Sequence, residues 1–442
     1  MLKYIFSWEH ILNSIAKRVI YRIKCSFCHD YLLGNHKNTL NEKRMIVIEN
    51  LALKRRVEVS LVGANIAIYT AAAIFMPYIL STIVLVFLAI YLMVNKQTRQ
   101  MIFINKGSMI LKIFMAYSLI VPALYRNLAG FATGVVMIFA AVLGLYIRNI
   151  MTKELFERLM TLVCTFSLTS AGYALVEKLV NDLENGSSRV SAVFFYPNYF
   201  GTVVGMVIIV CAYKVLTKQK NPWFYYMVAF VNLISMYLCK SMFVWVEVFV
   251  GVAVLLIVLK RHRLLSIWLF AAALGSFLIL FLGVNIIPRL NDVEVTVRLR
   301  QQIWSEAFGA IAQTPWFGHG YYSYMYLFHS SYLNQVIPHS HSIYIDTILN
   351  FGIIGTVLIV LYFTKIYKLI FRICFKEKNT KITSLILAIT AAALAHGITD
   401  VTLLWVQTMP FFLLILAGVG AYERDNVKYL RQYDSYESKI AS

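Results

Sequence analysis

Four of the nine histidines in this 442-residue chain fall between positions 319 and 341, at His319, His329, His339 and His341. Shortly before them stand Arg289, Arg298 and Arg300. A guanidinium beside a membrane surface suits phosphate or diphosphate, because its planar fork gives bidentate, charge-assisted hydrogen bonds. A neutral histidine within reach takes the proton of a sugar hydroxyl as that oxygen attacks. Together these residue types point to transfer of a glycan from a lipid diphosphate. The bland alternative is arginines that snorkel to headgroups and histidines that are ordinary loop residues.

The elements that must position these groups are membrane spans. The chain is 60% hydrophobic and 14% charged, with mean hydropathy +0.69. A soluble fold carries about 45–50% apolar and about 25% charged residues. Crossing the hydrocarbon takes about 17–25 apolar residues as a helix. Twelve such runs are expected, near 58–76, 78–95, 108–125, 127–147, 156–177, 199–216, 222–239, 242–260, 264–287, 350–367, 382–398 and 402–422. The fold class is therefore all-α and polytopic, with a large external loop, about 288–349, between spans 9 and 10. Residues 1–57 form a basic cytoplasmic lead, 58–425 the transmembrane domain and 426–442 a cytoplasmic tail.

The net charge of +20 is read as topology before nucleic acid. With the N-terminus inside, 34 of the 41 lysines and arginines lie on the cytoplasmic side, as the positive-inside rule requires. The outer side keeps Arg126, Lys178, Arg189, Lys240, Arg289, Arg298 and Arg300. Residues 1–56 lack an apolar core long enough for a cleavable signal peptide. Cys25-Ser26-Phe27-Cys28-His29 formally fits haem attachment, and with His36 a zinc site, but the cytoplasmic charge signature favours reduced thiols. No metal is expected in the external loop, whose acidic residues Asp292, Glu294, Glu306 and Asp346 are scattered. Glu247 lies inside a span, where an ionisable group is costly; helix–helix pairing is favoured there over pairing with Lys112 or facing a central cavity. His396 and Asp400, four apart, would share one helix face. The tyrosines at 321, 322, 324 and 326 read first as an interfacial belt.

A resemblance sharpens this. The order RLRQQIWSEAFGAIAQTPWFGHG, then PHSHSIYIDTILNFGIIG, preceded by RVSAVFFYPNYFGTVVG, resembles the O-antigen ligase and O-antigen polymerase family. Arg300 and Trp304 match its first element, Gly318 and Gly320 the second, and His341, Tyr344 and Gly352 the third. Tyr196-Pro197-Asn198 matches the segment that opens a span. The resemblance implies that His341 is the base activating the acceptor hydroxyl, with His339 as the alternative, and that Arg300 holds the donor diphosphate. Two departures stand out. Ser342 replaces the usual Asn, and Cys239-Lys240-Ser241-Met242 lacks a second arginine, for which Lys240, Arg289, Arg298 and Arg189 are candidates.

The expected activity is thus a metal-independent membrane glycosyltransferase without cofactor. It takes a polyprenyl-diphosphate-linked oligosaccharide donor and a glycan acceptor at the outer face of the cytoplasmic membrane, with both termini cytoplasmic. A surface or capsular polysaccharide polymerase is favoured over a ligase, because the second arginine is missing. Its partners are the lipid bilayer and a polysaccharide chain-length regulator, with no nucleic acid. Trp304, Tyr344, His339 and Asn198 join the substrate-binding set. A flippase would instead place its charges at the bilayer midplane, with broken helices and internal repeats.

Overall fold

In the computed structural model, the structure describes residues 63–103, 109–184, 189–218, 221–284, 287–328, 331–332 and 335–423. The basic lead with Cys25, Cys28, His29 and His36, His329, and the C-terminal tail lie outside the described residues. The chain is an all-α membrane protein, its described strands limited to a two-residue ladder, Ser331–Tyr332 against Gln335–Val336.

The helices run in order α1 (63–73), α2 (Tyr78–Val94), α3 (Lys96–Phe103), α4 (Met109–Leu124), α5 (Leu128–Ile150), α6 (Lys153–Leu183), α7 (Pro197–Leu216), α8 (Pro222–Leu238), α9 (Phe243–Val258), α10 (His262–Leu282), α11 (Val293–Gln313), α12 (Ser323–Phe328), α13 (Ile343–Phe371), α14 (Thr380–His396) and α15 (Thr408–Leu416). Each of the twelve apolar runs coincides with one of them. Five described helices are long and apolar enough to cross a bilayer: α5, α6, α7, α10 and α13 with its π-helical extension to Lys376. A sixth arises if α2 and α3, bent by 97°, form one span, and five shorter apolar helices accompany them.

Local sequence sets the helix ends. Asn127 caps α5 by accepting from the Gly130 N–H at 2.8 Å, and Thr152 caps α6 through Leu155 at 3.1 Å. Pro197 occupies the first turn of α7, where its missing N–H costs nothing. α7 is the most enclosed of the five long apolar helices, packed by α8, α9 and α14. It reads as continuous small and branched apolar residues, as a helix buried all round must.

The expected loop at 288–349 is largely structured. An amphipathic helix expected from Arg300 begins seven residues earlier, as α11, because Asp292 ends a 3₁₀ turn there. At its far end the loop is shorter than expected, since α13 begins at Ile343 rather than 350. Span 10 and the helix before it are one element, broken at Gly352 (φ 59°, ψ −171°).

That break is clasped by the strap Pro315–Tyr322. Ile353 N–H donates to Pro315 O at 2.8 Å, Ile354 N–H to Trp316 O at 3.2 Å, and Gly320 N–H to Asn350 O at 2.7 Å. Tyr117 Oη donates to the carbonyls of Phe317 and Phe351, each at 2.7 Å. Asn127 Nδ2 holds the carbonyls of His319 (3.0 Å) and Tyr321 (2.9 Å). Backbone groups released by the kink are thus repaired by the strap, as a low-dielectric setting demands. The two chains approach so closely that only glycine fits. A Cβ on Gly318 would lie 2.5 Å from the Asn350 carbonyl, and one on Gly352 would overlap that of Trp316.

Gly352→Ala should therefore lower the thermal unfolding midpoint of the detergent-solubilised protein steeply. Left-handed backbone alone costs about 1–3 kcal/mol for a residue with a side chain, and the clash adds to it. Gly275→Ala, in the open middle of α10 with nothing within 4 Å, should leave the midpoint unchanged or raised.

Candidate active site

Three joints between helices meet at one end of the bundle: 189–196 before α7, 239–242 between α8 and α9, and 397–407 between α14 and α15. Contacts between them are direct. Arg189 Nε donates to the Cys239 carbonyl at 3.0 Å, and the Ile343 N–H donates to the carbonyls of Gly397 (2.8 Å) and Asp400 (3.1 Å).

A polar line runs through this end. Arg189 donates from Nη2 to Asn198 Oδ1. Asn198 Nδ2 donates to Asp400 Oδ2 at 2.6 Å. The Val401 N–H donates to Asp400 Oδ1 at 2.8 Å, and that same oxygen lies 3.8 Å from His341 Nδ1. Asp400 is buried at 4% side-chain exposure and His341 keeps 27%. Burial alone would raise the Asp400 carboxyl, but the imidazoles of His341, His339 and His396 outweigh it and hold the group well below the usual carboxylate range. Asp400 is therefore an anion facing an accessible histidine, the arrangement that orients a general base.

His339 is placed differently. It is 4% exposed, its Nδ1 accepts the His341 N–H at 3.2 Å, and its Nε2 meets Tyr199 Oη at 3.2 Å. Burial, with His341 and Arg300 nearby, pushes its imidazole down to about 3. A base that weak takes no proton at neutral pH. His339 thus anchors the His341 backbone, and Trp405 closes over it at 5.3 Å between ring centroids.

The His341 backbone is left-handed, at φ 51°, and is held in place. Asp346, buried at 3%, accepts from the Ser340 N–H at 2.9 Å and from Ser340 Oγ at 3.1 Å through Oδ1. Its Oδ2 accepts from Asn350 Nδ2 at 2.6 Å. Trp304 Nε1 donates to the Ser340 carbonyl at 3.0 Å. The Trp304 indole is thereby committed to the loop.

Arg300 stands on α11 with its guanidinium 5.6 Å from the centroid of Phe243. Burial pushes it below its usual range, with Arg289 adding to the effect and Asp400 opposing it. Arg189 behaves alike: burial lowers it first, then Arg289 and Arg300, against Asp400. The three guanidinium groups are thus within electrostatic reach of one another. Arg289 is tied locally to Asp292 at 2.9 Å, so Asp400 faces an excess of positive charge.

Of the residues expected from sequence, the structure gathers Arg189, Asn198, Arg289, Arg300, Trp304, His339 and His341 at this end. Lys240 lies in the adjoining joint, next to the carbonyl that Arg189 grips, with a left-handed φ of 49°. Arg298 is not among them. It is 74% exposed and paired with Glu294 at 2.5 Å, because two residues rotate it about 200° from Arg300. Tyr344 donates from Oη to Leu394 O at 2.9 Å and borders a separate, apolar cavity of about 720 Å³ among Phe114, Leu145, Phe351, Tyr362 and Leu404.

Two further expectations are corrected and a third is met. His396 and Asp400 do not share a helix face, because α14 ends at His396 and Asp400 follows in the joint. The third is Glu247, which pairs across two helices with His396, as favoured, while Lys112 Nζ donates to Phe103 O. The tyrosines expected as a belt pack inward instead: Tyr321 lies on Phe351, Tyr324 bonds Glu306, and Tyr326 bonds the Tyr125 carbonyl.

His339, His341 and Asp400 offer ligand atoms within 4.8 Å of one another. Hydrogen bonds already engage both Asp400 oxygens and both His339 nitrogens. Chemically, the site pairs a basic, anion-seeking wall with a carboxylate-oriented imidazole.

No curated protein matches the chain. Residues 205–360, from within α7 to within α13, match a family model described as O-antigen ligase. That stretch carries Arg289, Arg300, Trp304, Gly318, Gly320, His341 and Gly352, and over it the chain is similar to the O-antigen ligase family.

Proposed function

We propose that the protein is a polysaccharide polymerase that transfers a polyprenyl-diphosphate-linked glycan to an acceptor sugar hydroxyl at the outer face of the cytoplasmic membrane. One observation carries this reading. The line from Arg189 through Asn198 and Asp400 to His341 sets a group suited to diphosphate beside a group suited to a hydroxyl proton.

The donor diphosphate lies on Arg300 and Arg189, with Arg289 completing the positive wall. His341 takes the acceptor proton while Asp400 stabilises the imidazolium that forms. The acceptor oxygen bonds to the anomeric carbon, and the bond from that carbon to the diphosphate oxygen breaks. The electron pair leaves with the lipid diphosphate, whose charge the guanidinium groups offset. A single displacement inverts the anomeric centre. No metal takes part, and twelve spans with both termini inside put the strap and α11 outside. A second reading has a specific support: the matching family model is described as a ligase, which moves a finished glycan to a different acceptor.

A reporter fused after residue 325 should read as external; a cytoplasmic reading would sink the mechanism. Purified protein given a polyprenyl-diphosphate oligosaccharide repeat and no other acceptor should produce a size ladder. His341→Ala should slow it about 10²–10⁴-fold, and Arg300→Ala about 10²-fold or more. Asp400→Asn should reduce the turnover rate without weakening donor binding, because it removes the anion facing His341 and leaves the positive wall less offset. No ladder without a second acceptor, but transfer when one is supplied, would select the ligase. Loss of activity on chelation would put a metal on His339, His341 and Asp400 and overturn the acid–base assignment.

A further inference from the structure

Glu247 and His396 are the most deeply buried ionisable pair among the described residues, at 0% and 1% side-chain exposure, with Oε2 and Nδ1 2.7 Å apart. They join α9 to α14, where a charged group is expensive. Stability does not account for them, since a buried pair is often replaceable by apolar side chains at no loss. α7 makes room for the carboxylate at Gly205, where a Cβ would come within 3.0 Å of it.

The pair does not stand alone. His396 Nδ1 is also 3.3 Å from Thr202 Oγ1, and Thr202 Oγ1 donates to the Asn198 carbonyl at 3.0 Å. With that hydroxyl proton committed, the Thr202 oxygen faces His396 as an acceptor, so Nδ1 carries the proton and shares it with Glu247. One chain of polar contacts therefore leads from Glu247 through His396 and Thr202 to Asn198. The Asn198 side chain is the residue that bridges Arg189 and Asp400.

We infer that Glu247 and His396 are positioning residues for the transfer reaction. Through Thr202 they fix the first turn of α7, and so the carboxamide that holds Asp400 against His341 and Arg189 at the diphosphate wall. This rests on the reading of His341 as the base. Glu247 contributes as an acceptor for the His396 Nδ1–H, which a carboxamide oxygen also provides.

The test is the rate at which diethyl pyrocarbonate labels His341 at one neutral pH, followed by peptide mass spectrometry on the full-length protein in detergent. His341 is accessible enough to react, and its nucleophilicity reports the Asp400 carboxylate beside it. Glu247→Leu and Thr202→Val should each slow His341 labelling about threefold or more, within the range of coupled neighbours. Glu247→Gln should stay near the wild-type rate. Because both act along one path, Glu247→Leu with Thr202→Val should be no slower than the slower single variant. Labelling at the wild-type rate in all variants overturns the inference. So does a Gln variant as slow as the Leu variant, or a double variant whose effects simply add. Should the Leu variant fail to fold, Thr202→Val and Glu247→Gln carry the comparison. Inorganic diphosphate added to the wild type tests the donor reading separately. Protection of His341 supports it, and no protection overturns it, whatever the variants show.

Discussion

The side chain of Asn198 has one acceptor and one donor end, and here both are committed. Its oxygen takes Arg189 and its nitrogen gives to Asp400, so the amide cannot flip without turning acceptor on acceptor and donor on donor. Arg189 reaches back to the Cys239 carbonyl, which ties in the joint between α8 and α9. Asp400 takes its own following N–H, which leaves its Oδ1 edge toward His341. Three joints that are remote in sequence are thereby locked to the first turn of one enclosed helix. A buried carboxylate left without these partners would be costly, so the geometry of the site and the closure of this end of the bundle are one problem with one solution.

The clasp at Gly352 solves a second problem. A helix cannot break inside a bilayer-facing bundle unless something takes its freed carbonyls, and the strap does so with backbone and Tyr117 alone. The break lets the first turns of α13 rise as a rigid post. Asp346 and Asn350 on that post hold Ser340, and Trp304 grips the Ser340 carbonyl from α11. His341 is thus fixed from both sides, which is what a left-handed non-glycine residue requires to persist. Left-handed backbone of this kind also occurs at Arg289 and Lys240 near the site and in other helix joints, as at Lys218, Lys260 and Lys378.

Much of this was legible in the sequence, and what was not has a physical reason. Apolar run length located twelve of the fifteen described helices, because hydrocarbon thickness imposes it; α3, α11 and α12 carry no such run. The family resemblance gave the order of the elements around Arg300, Gly318, Gly320, His341 and Gly352. Their detailed roles were hidden, since Trp304 and the two strap glycines work through backbone contacts that no spacing reveals. Arg298 was misjudged because a helix turns it away from Arg300, and the true start of α11 was not visible from the arginines alone. Asp400 was seen but set on a helix; its partner lies 59 positions away across two helices. Asp346 looked scattered among acids, but it sits in the first turn of α13 and its carboxylate reaches back to Ser340.

The missing family arginine can now be weighed by charge rather than by position. A lysine replaces it at the opening of α9, yet Lys240 offers a point charge without a fork. Arg189 enters the same place from the joint before α7, gripping the carbonyl of the residue just before Lys240. Burial first, then the nearby Arg289 and Arg300, lower its guanidinium, and Asp400 only partly offsets the repulsion among the arginines. Such crowding is unfavourable until an anion arrives, and a diphosphate, with two charged groups, relieves it at more than one arginine. On the proposed reading, the cation has been supplied from a neighbouring joint rather than lost, and the departure at Cys239-Lys240-Ser241 does not by itself separate a polymerase from a ligase. The acceptor that sits against His341 decides between them.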